Sequence, residues 1–300
     1  MPIGFFSRRR ARRRPASPAR WAALVLVLLA AGCAHPRQAA APAGQPPEVS
    51  AEARALRFPL DAYTLSRLDI QTVEYAEDLL TRACMRGAGL DWELLPPPAR
   101  VDTDPLHRRR YGVIEPEVAA RYGYHLPPLA ADQRAREQVW RRRETLPPAQ
   151  RRAAYGDDGQ GGCRQTARTR LAAGVPALDQ QWLNGFIGDT FAASQRVPAV
   201  VAAFDAWSRC MKARGFGYRT PLDAAADPAW SRYPQAGPGE LAAATADVGC
   251  KRATGLVATW SAADEAVQLR AIAAHRDAFD RFRRAREAEL DAARKVIGHR

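Results

Sequence analysis

Apolar residues recur at helical spacing through most of the chain beyond residue 66. Nowhere do they alternate at period two for long enough to predict a sheet. Val73, Ala76, Leu80 and Ala83 form the first stripe, with Leu79 and Cys84 flanking it. Ser66 or Asp69 can cap its start, and Gly87 or Gly89 can stop it in a left-handed conformation. Pro96-Pro97-Pro98 ends regular structure. Pro116-Glu117-Val118-Ala119-Ala120 opens a short helix with proline in its first turn. Residues 134–152 are basic and helical in pattern, split by Pro147-Pro148, and glycine-rich residues 156–162 make a loop before a helix at Cys163. Helices follow over 178–193 and 199–213, the second with Val200, Ala203, Phe204, Trp207 and Met211 on one apolar face. A loop spans 215–239, an Ala-rich helix 240–254, and the stretch from Ser261 to Ile297 reads as one long helix on Val267, Ile272, Phe279, Phe282 and Leu290. The expected fold class is all-α, with long Pro- and Gly-rich loops.

The first fifty residues follow a different logic. Met1 to Arg20 holds seven arginines and no acid, and Trp21 to Ala31 is an unbroken apolar run. That run is too short to span a bilayer as a helix and follows a basic segment, so it reads as the core of a signal peptide. Its end, Leu29-Ala30-Ala31-Gly32-Cys33, resembles the lipobox of bacterial lipoprotein precursors. Ala30 departs from the leucine usual three places before the cysteine; Leu29 stands one place early. The resemblance implies removal of residues 1–32, acylation of Cys33 and residence on the extracytoplasmic side of the cell membrane. Acyl chains hold a protein there by additive burial, about 0.8 kcal/mol per methylene. Ser7-Arg8-Arg9 is a fragment of a twin-arginine signal, without the hydrophobic pair that should follow. Residues 33–50, rich in Ala and Pro, read as a tether. Residues 51–173 and 174–300 make a first and a second helical half.

Charge then changes meaning. The full chain carries 45 basic and 32 acidic residues, +13. Losing the seven arginines of residues 1–32 leaves 38 against 32, or +6, so nucleic acid is not an expected partner. A mildly positive surface suits an anionic cell-envelope polymer or a membrane protein, beside the membrane reached through the anchor. Lys212, Lys251 and Lys295 are the only lysines.

With Cys33 acylated, Cys84, Cys163, Cys210 and Cys250 remain, an even number in an oxidising compartment, which allows three pairings. An echo selects one. Cys84-Met85 and Cys210-Met211 each lie near the end of an apolar-periodic segment. After a proline-bearing loop each is followed by Gly-Cys-base, at Gly162-Cys163-Arg164 and Gly249-Cys250-Lys251. The prediction is Cys84–Cys163 and Cys210–Cys250, against the alternative of four buried thiols. The echo also fits a distant internal duplication, although the basic region 106–152 has no counterpart. Trp207-Ser208-Arg209-Cys210-Met211, followed by Gly215 and Trp230, is similar to uncharacterised secreted proteins of GC-rich Gram-positive bacteria, a resemblance that implies no activity.

Candidate chemistry is sparse. Asp102, Asp104 and His107 could supply oxygens and a nitrogen to a divalent metal, but a solvated, Pro-flanked loop accounts for them. With no Cys-x-x-Cys pair, no zinc site is expected, and no cofactor motif occurs. Glu115 and Glu117 could form a carboxylate pair for glycoside hydrolysis, yet two positions apart at a helix start they diverge. His125 could be a base without a recognisable nucleophile. Gly156-Asp157-Asp158-Gly159 is a turn, not a phosphate loop, and Ser208 and Ser261 suit cap or surface roles. Arg108, Arg109, Arg110, Tyr111, Arg121, Tyr122 and Tyr124 form a candidate binding surface for phosphate polymers, sugars or an acidic protein face. The competing reading packs the tyrosines against helices. The expected function is a non-catalytic binding or scaffolding role in the cell envelope. The alternatives are an extracytoplasmic hydrolase of wall or sugar polymers and an accessory lipoprotein that modulates a membrane kinase or transporter.

Overall fold

The computed structural model describes residues 45–157 and 159–298; the expected signal segment, Cys33 and most of the tether lie outside them. Among the described residues twelve α-helices follow one another: α1 (Ala51–Ala55), α2 (Arg67–Gly87), α3 (Pro116–Tyr122), α4 (Ala131–Glu144), α5 (Pro148–Tyr155), α6 (Gly162–Leu171), α7 (Gln180–Ser194), α8 (Pro198–Ala213), α9 (Pro221–Ala225), α10 (Pro238–Thr254), α11 (Leu256–Ala274) and α12 (Arg276–Gly298). Short 3-10 turns lie at Pro59–Tyr63 and Trp230–Arg232. No strand occurs among the described residues, only isolated bridges, and the fold is all-α as expected. Five of the helices start on proline, which fixes φ near the helical value and gives up an N–H that would have no partner there.

Local rules set the boundaries. Ser66 opens α2 with a capping box: its hydroxyl accepts from the Asp69 N–H (3.1 Å) while Asp69 Oδ2 accepts from the Ser66 N–H (3.0 Å). The other end explains the cysteine echo. In α2 the Leu90 N–H donates to Met85 O and the Gly89 N–H to Arg86 O, both 3.0 Å; in α8 the Phe216 N–H donates to Met211 O and the Gly215 N–H to Lys212 O, both 3.0 Å. Gly89 (φ 69°) and Gly215 (φ 90°) take the left-handed position. Cys-Met-x-x-x-Gly followed by Leu or Phe is thus a Schellman stop in both halves. Its apolar contact joins Met85 to the cluster of Leu90 and Met211 to that of Phe216.

Beside each stop lies a disulfide, Cys84–Cys163 from α2 to α6 and Cys210–Cys250 from α8 to α10, with Cα separations of 5.6 and 5.7 Å. They close spans of 79 and 40 residues, worth about 4 kcal/mol each in the chain-entropy model. The likeness between the two cysteine settings does not extend to the residue after the second cysteine. Arg164, after Cys163, reaches Glu77 in α2 (2.8 Å), whereas Lys251, after Cys250, bonds Asp247 within α10 (2.8 Å).

All five predicted α8 face residues are buried, and with Tyr111, Leu256 and Trp260 they form the main core. There α8 packs on α10 and α11, and α7 on α11; α2 is held between α6 and α12, so elements of both sequence halves interleave. Val49 (8% exposed) belongs to this core, and Glu115 accepts from the Ser50 N–H. The expected tether therefore gives way to folded chain by residue 49. The expected long helix over 261–297 is two helices. His275 leaves the helical conformation (φ −129°, ψ 34°), and its ring meets the edges of Trp182 and Phe186 on α7.

The α2 stripe is also different from expectation. Ala83 is exposed, while Glu77, Asp78 and Thr81 are buried. Asp78 accepts from Trp92 Nε1 (3.1 Å), the Leu95 N–H (2.7 Å) and Arg143, whose guanidinium lies 4.3 and 4.7 Å from the rings of Trp92 and Trp140. Multiple donors and a facing cation make a buried carboxylate tolerable. A second such pair, Asp247–Lys251, is completed by Trp207 Nε1 (2.9 Å) and the Val113 carbonyl (2.8 Å). Burial holds the Asp247 carboxyl above its usual range and the Lys251 ammonium below its own, each partly restored by the other.

Candidate functional site

The arginine–tyrosine segment does not lie on one open face. Arg108 is buried against Glu115 through two bonds (2.6 and 3.3 Å). Arg109 donates to the carbonyls of Tyr124 (2.9 Å) and His125 (2.7 Å). Arg110 grips Asp264 with two nitrogens (2.6 and 3.1 Å), between the rings of Phe58 and Phe191. Tyr111 is fully buried and donates its hydroxyl to the same Asp264 (2.9 Å). Burial and that carboxylate together push its phenol far above the usual range. Tyr124 stacks on Trp230, and Arg121 pairs along α3 with Glu117 (3.0 Å) and covers Tyr122. Desolvating so many charged and aromatic groups succeeds because each arginine finds a fixed acceptor. The segment 105–125 thereby fastens α3, α10 and α11 together.

Other expected groups are dispersed too. Asp102 accepts from the Asp104 N–H (3.0 Å), Asp104 pairs with Arg67 (2.9 Å), and His107 turns to Asp61 (2.6 Å). Among the described residues no three His, Cys, Asp or Glu side chains are placed to hold a metal. Glu115 points inward and Glu117 outward, so they make no pair. His125 bonds Glu240 (2.8 Å) and the Tyr233 carbonyl (2.9 Å); the Glu240 bond holds the imidazole pKa above its ordinary value. Ser208 bonds the Tyr218 carbonyl and Ser261 that of Ala258. Asp157, in the glycine-rich turn, meets Arg152.

What the fold does build is a cleft of about 730 Å³ between the 59–63 turn, the start of α2, α7 and α12. The volume is ordinary for a small-molecule site. Phe58, Leu60 and Tyr63 come from the turn, Leu65 and Ile70 from the entry to α2, Ile187 and Phe191 from α7, and Phe282 from α12. One wall carries the His107–Asp61 pair. Asp61 is fixed because its other oxygen accepts from the Phe58 N–H (2.9 Å), capping the turn, and His107 sits edge-on to Phe58 at 4.8 Å. The wall from α12 carries Arg286 and Glu289; Arg286 reaches Asp69 (2.8 Å), tying α12 to the α2 cap. Nothing local in the sequence marks this site, since its lining runs from residue 58 to residue 289. The pairing of His107 was legible only as a histidine near acids, and the structure assigns it the acid 46 positions away.

An apolar trough edged by fixed polar groups can enclose an aliphatic or aromatic ligand and orient one polar end. No protein-family model matches the sequence, and comparison with curated proteins and with solved structures finds no match in either.

Proposed function

We propose that the protein is a cell-envelope lipoprotein, anchored through Cys33 on the extracytoplasmic side of the membrane, whose folded domain binds a partly apolar ligand without transforming it. The cleft between the 59–63 turn, α7 and α12 carries this reading. Aromatic and aliphatic side chains from four separate segments converge on it, and its aspartate and its arginines are spent on holding the fold. The two disulfides suit an oxidising compartment. An anchor would keep such a site close to amphiphilic or wall-derived material, and an anionic envelope polymer or a membrane protein remains the larger partner this reading envisages.

The test has two parts. Radiolabelled palmitate should enter the wild-type protein and not Cys33→Ala. The neutral dye N-phenylnaphthylamine should brighten on binding the purified domain and should lose that signal in Ile187→Trp, which fills the cleft. A folded Ile187→Trp domain with unchanged dye binding removes the cleft from the proposal.

A second reading, hydrolase activity, has one observation in its favour. His107, oriented by Asp61 at 2.6 Å on the cleft wall, has the geometry of a base held by a carboxylate. Cleavage of nitrophenyl esters or glycosides that His107→Gln abolishes would establish it.

A further inference from the structure

The charged groups lining the cleft are unequally committed. Asp61 is occupied by His107 and the Phe58 N–H. Arg110 is neutralised by Asp264 and Arg286 by Asp69. Arg109, also in the lining, sends both terminal nitrogens to the carbonyls of Tyr124 and His125, so its donors are used while its charge is not paired with a carboxylate. Glu289, half-buried on α12, is the one charged lining residue with neither an ion pair nor a hydrogen bond among the described residues. A desolvated carboxylate without a partner is unfavourable, and burial alone raises its pKa. One turn earlier on the same helix, the Nε of Arg286 is buried with no acceptor. The α12 wall therefore offers a ligand one uncompensated negative charge and one spare donor, beside apolar Leu65, Ile70 and Phe282.

We infer that the cleft receives a single-chain amphiphile with a protonated amine head, its ammonium on Glu289 and its hydrocarbon chain along Phe58, Ile187 and Phe282. This rests on the cleft being the binding site, and it names the ligand class. Charge complementarity selects the head: an anionic head would meet Glu289, while Arg110 and Arg286 already face carboxylates. A neutral head would leave the carboxylate unpaired. An oxygen close to the amine could accept from Arg286 Nε.

Three twelve-carbon probes separate the terms: dodecylammonium, dodecanol and dodecanoate, each below its micelle concentration, competing against N-phenylnaphthylamine. The wild-type protein should bind dodecylammonium about tenfold or more tighter than dodecanol, and dodecanoate weakest. Glu289→Gln should bring the amine to the level of the alcohol and leave the alcohol unchanged. Equal binding of amine and alcohol by the wild type overturns the assignment to Glu289 while leaving the cleft intact. Tightest binding of dodecanoate overturns it in favour of arginine recognition. Displacement of the dye by none of the three overturns this inference while the dye's own binding still carries the cleft, and a protein that does not bind the dye removes both. The wild-type ranking needs no variant, so a poorly folding Glu289→Gln does not spare the claim.

Discussion

Replacing Asp264 with asparagine would show whether Arg110 and Tyr111 are interior fastenings. The side chain of Asp264 is fully buried and that of Arg110 is 12% exposed. Asparagine keeps the shape and removes the charge, so the guanidinium stays desolvated opposite a neutral amide. Breaking a buried ion pair from one side costs about 3–5 kcal/mol. The loss is not confined to Arg110, because Asp264 also accepts from the Tyr111 hydroxyl and from Gln268 Nε2 (2.8 Å), and Gln268 in turn accepts from the Leu60 N–H at the cleft (3.1 Å). With a urea slope of about 1–3 kcal/mol/M, the unfolding midpoint of non-reduced protein should fall by roughly 1 M or more. The double variant Asp264→Leu, Arg110→Met removes both charges and should recover part of the loss, since apolar replacements of buried pairs are often neutral, while the Tyr111 hydroxyl and Gln268 Nε2 stay without their acceptor. A drop below about 1 kcal/mol in Asp264→Asn, or a double variant no more stable than the single, would refute the argument. Arg110 would then be a solvated residue free to bind something else.

Gly123→Ala should destabilise by about 2 kcal/mol or more, measured by the same unfolding curve. Gly123 has φ 58° and ψ −127°, and an added Cβ would stand 2.6 Å from Glu240 Oε1. The His125–Glu240 contact should be worth most in acid. The folded pKa of His125 is raised, chiefly by its hydrogen bond to Glu240, so the stabilisation is complete below the unfolded value near 6.5 and disappears as pH rises through the folded one. The stability gap between wild type and His125→Ala, followed by urea titration from pH 5 to 9, should shrink with rising pH; a constant gap would contradict this. Cys210→Ser with Cys250→Ser should lose about 4 kcal/mol and leave the dye affinity of the cleft unchanged, because neither cysteine lines it.

How much of this was legible in the sequence depends on the range of the rule. The α8 face needs only neighbours three and four apart, and all five of its residues are buried. The capping box at Ser66 and the left-handed glycines after the two Cys-Met pairs are equally local. Misreadings begin where a distant partner changes the sign of a residue. Asp78 and Glu77 look solvated until Arg143 and Arg164 arrive from α4 and α6, and Arg108 to Tyr111 look like a basic surface until Glu115 and Asp264 meet them. A one-dimensional pattern carries no record of which arginine neutralises which acid. The break at His275 escaped for a similar reason. No proline or glycine marks it, only the rings of α7 on the other side. The cleft is the extreme case, assembled from residues up to 231 positions apart, Phe58 to Glu289, with no motif in any one segment.

Burial of Lys251 has a practical corollary for anyone hunting the partner. Three lysines serve the whole chain, and this one is enclosed with its ammonium between Asp247 and the Val113 carbonyl. Among its side chains, amine-reactive reagents added to the native domain can therefore capture neighbours through Lys212, at the close of α8, and Lys295, near the end of α12. Contacts beyond the reach of those two side chains would be poorly sampled by such chemistry, and carboxyl-directed or photoactivated coupling is the better tool for them.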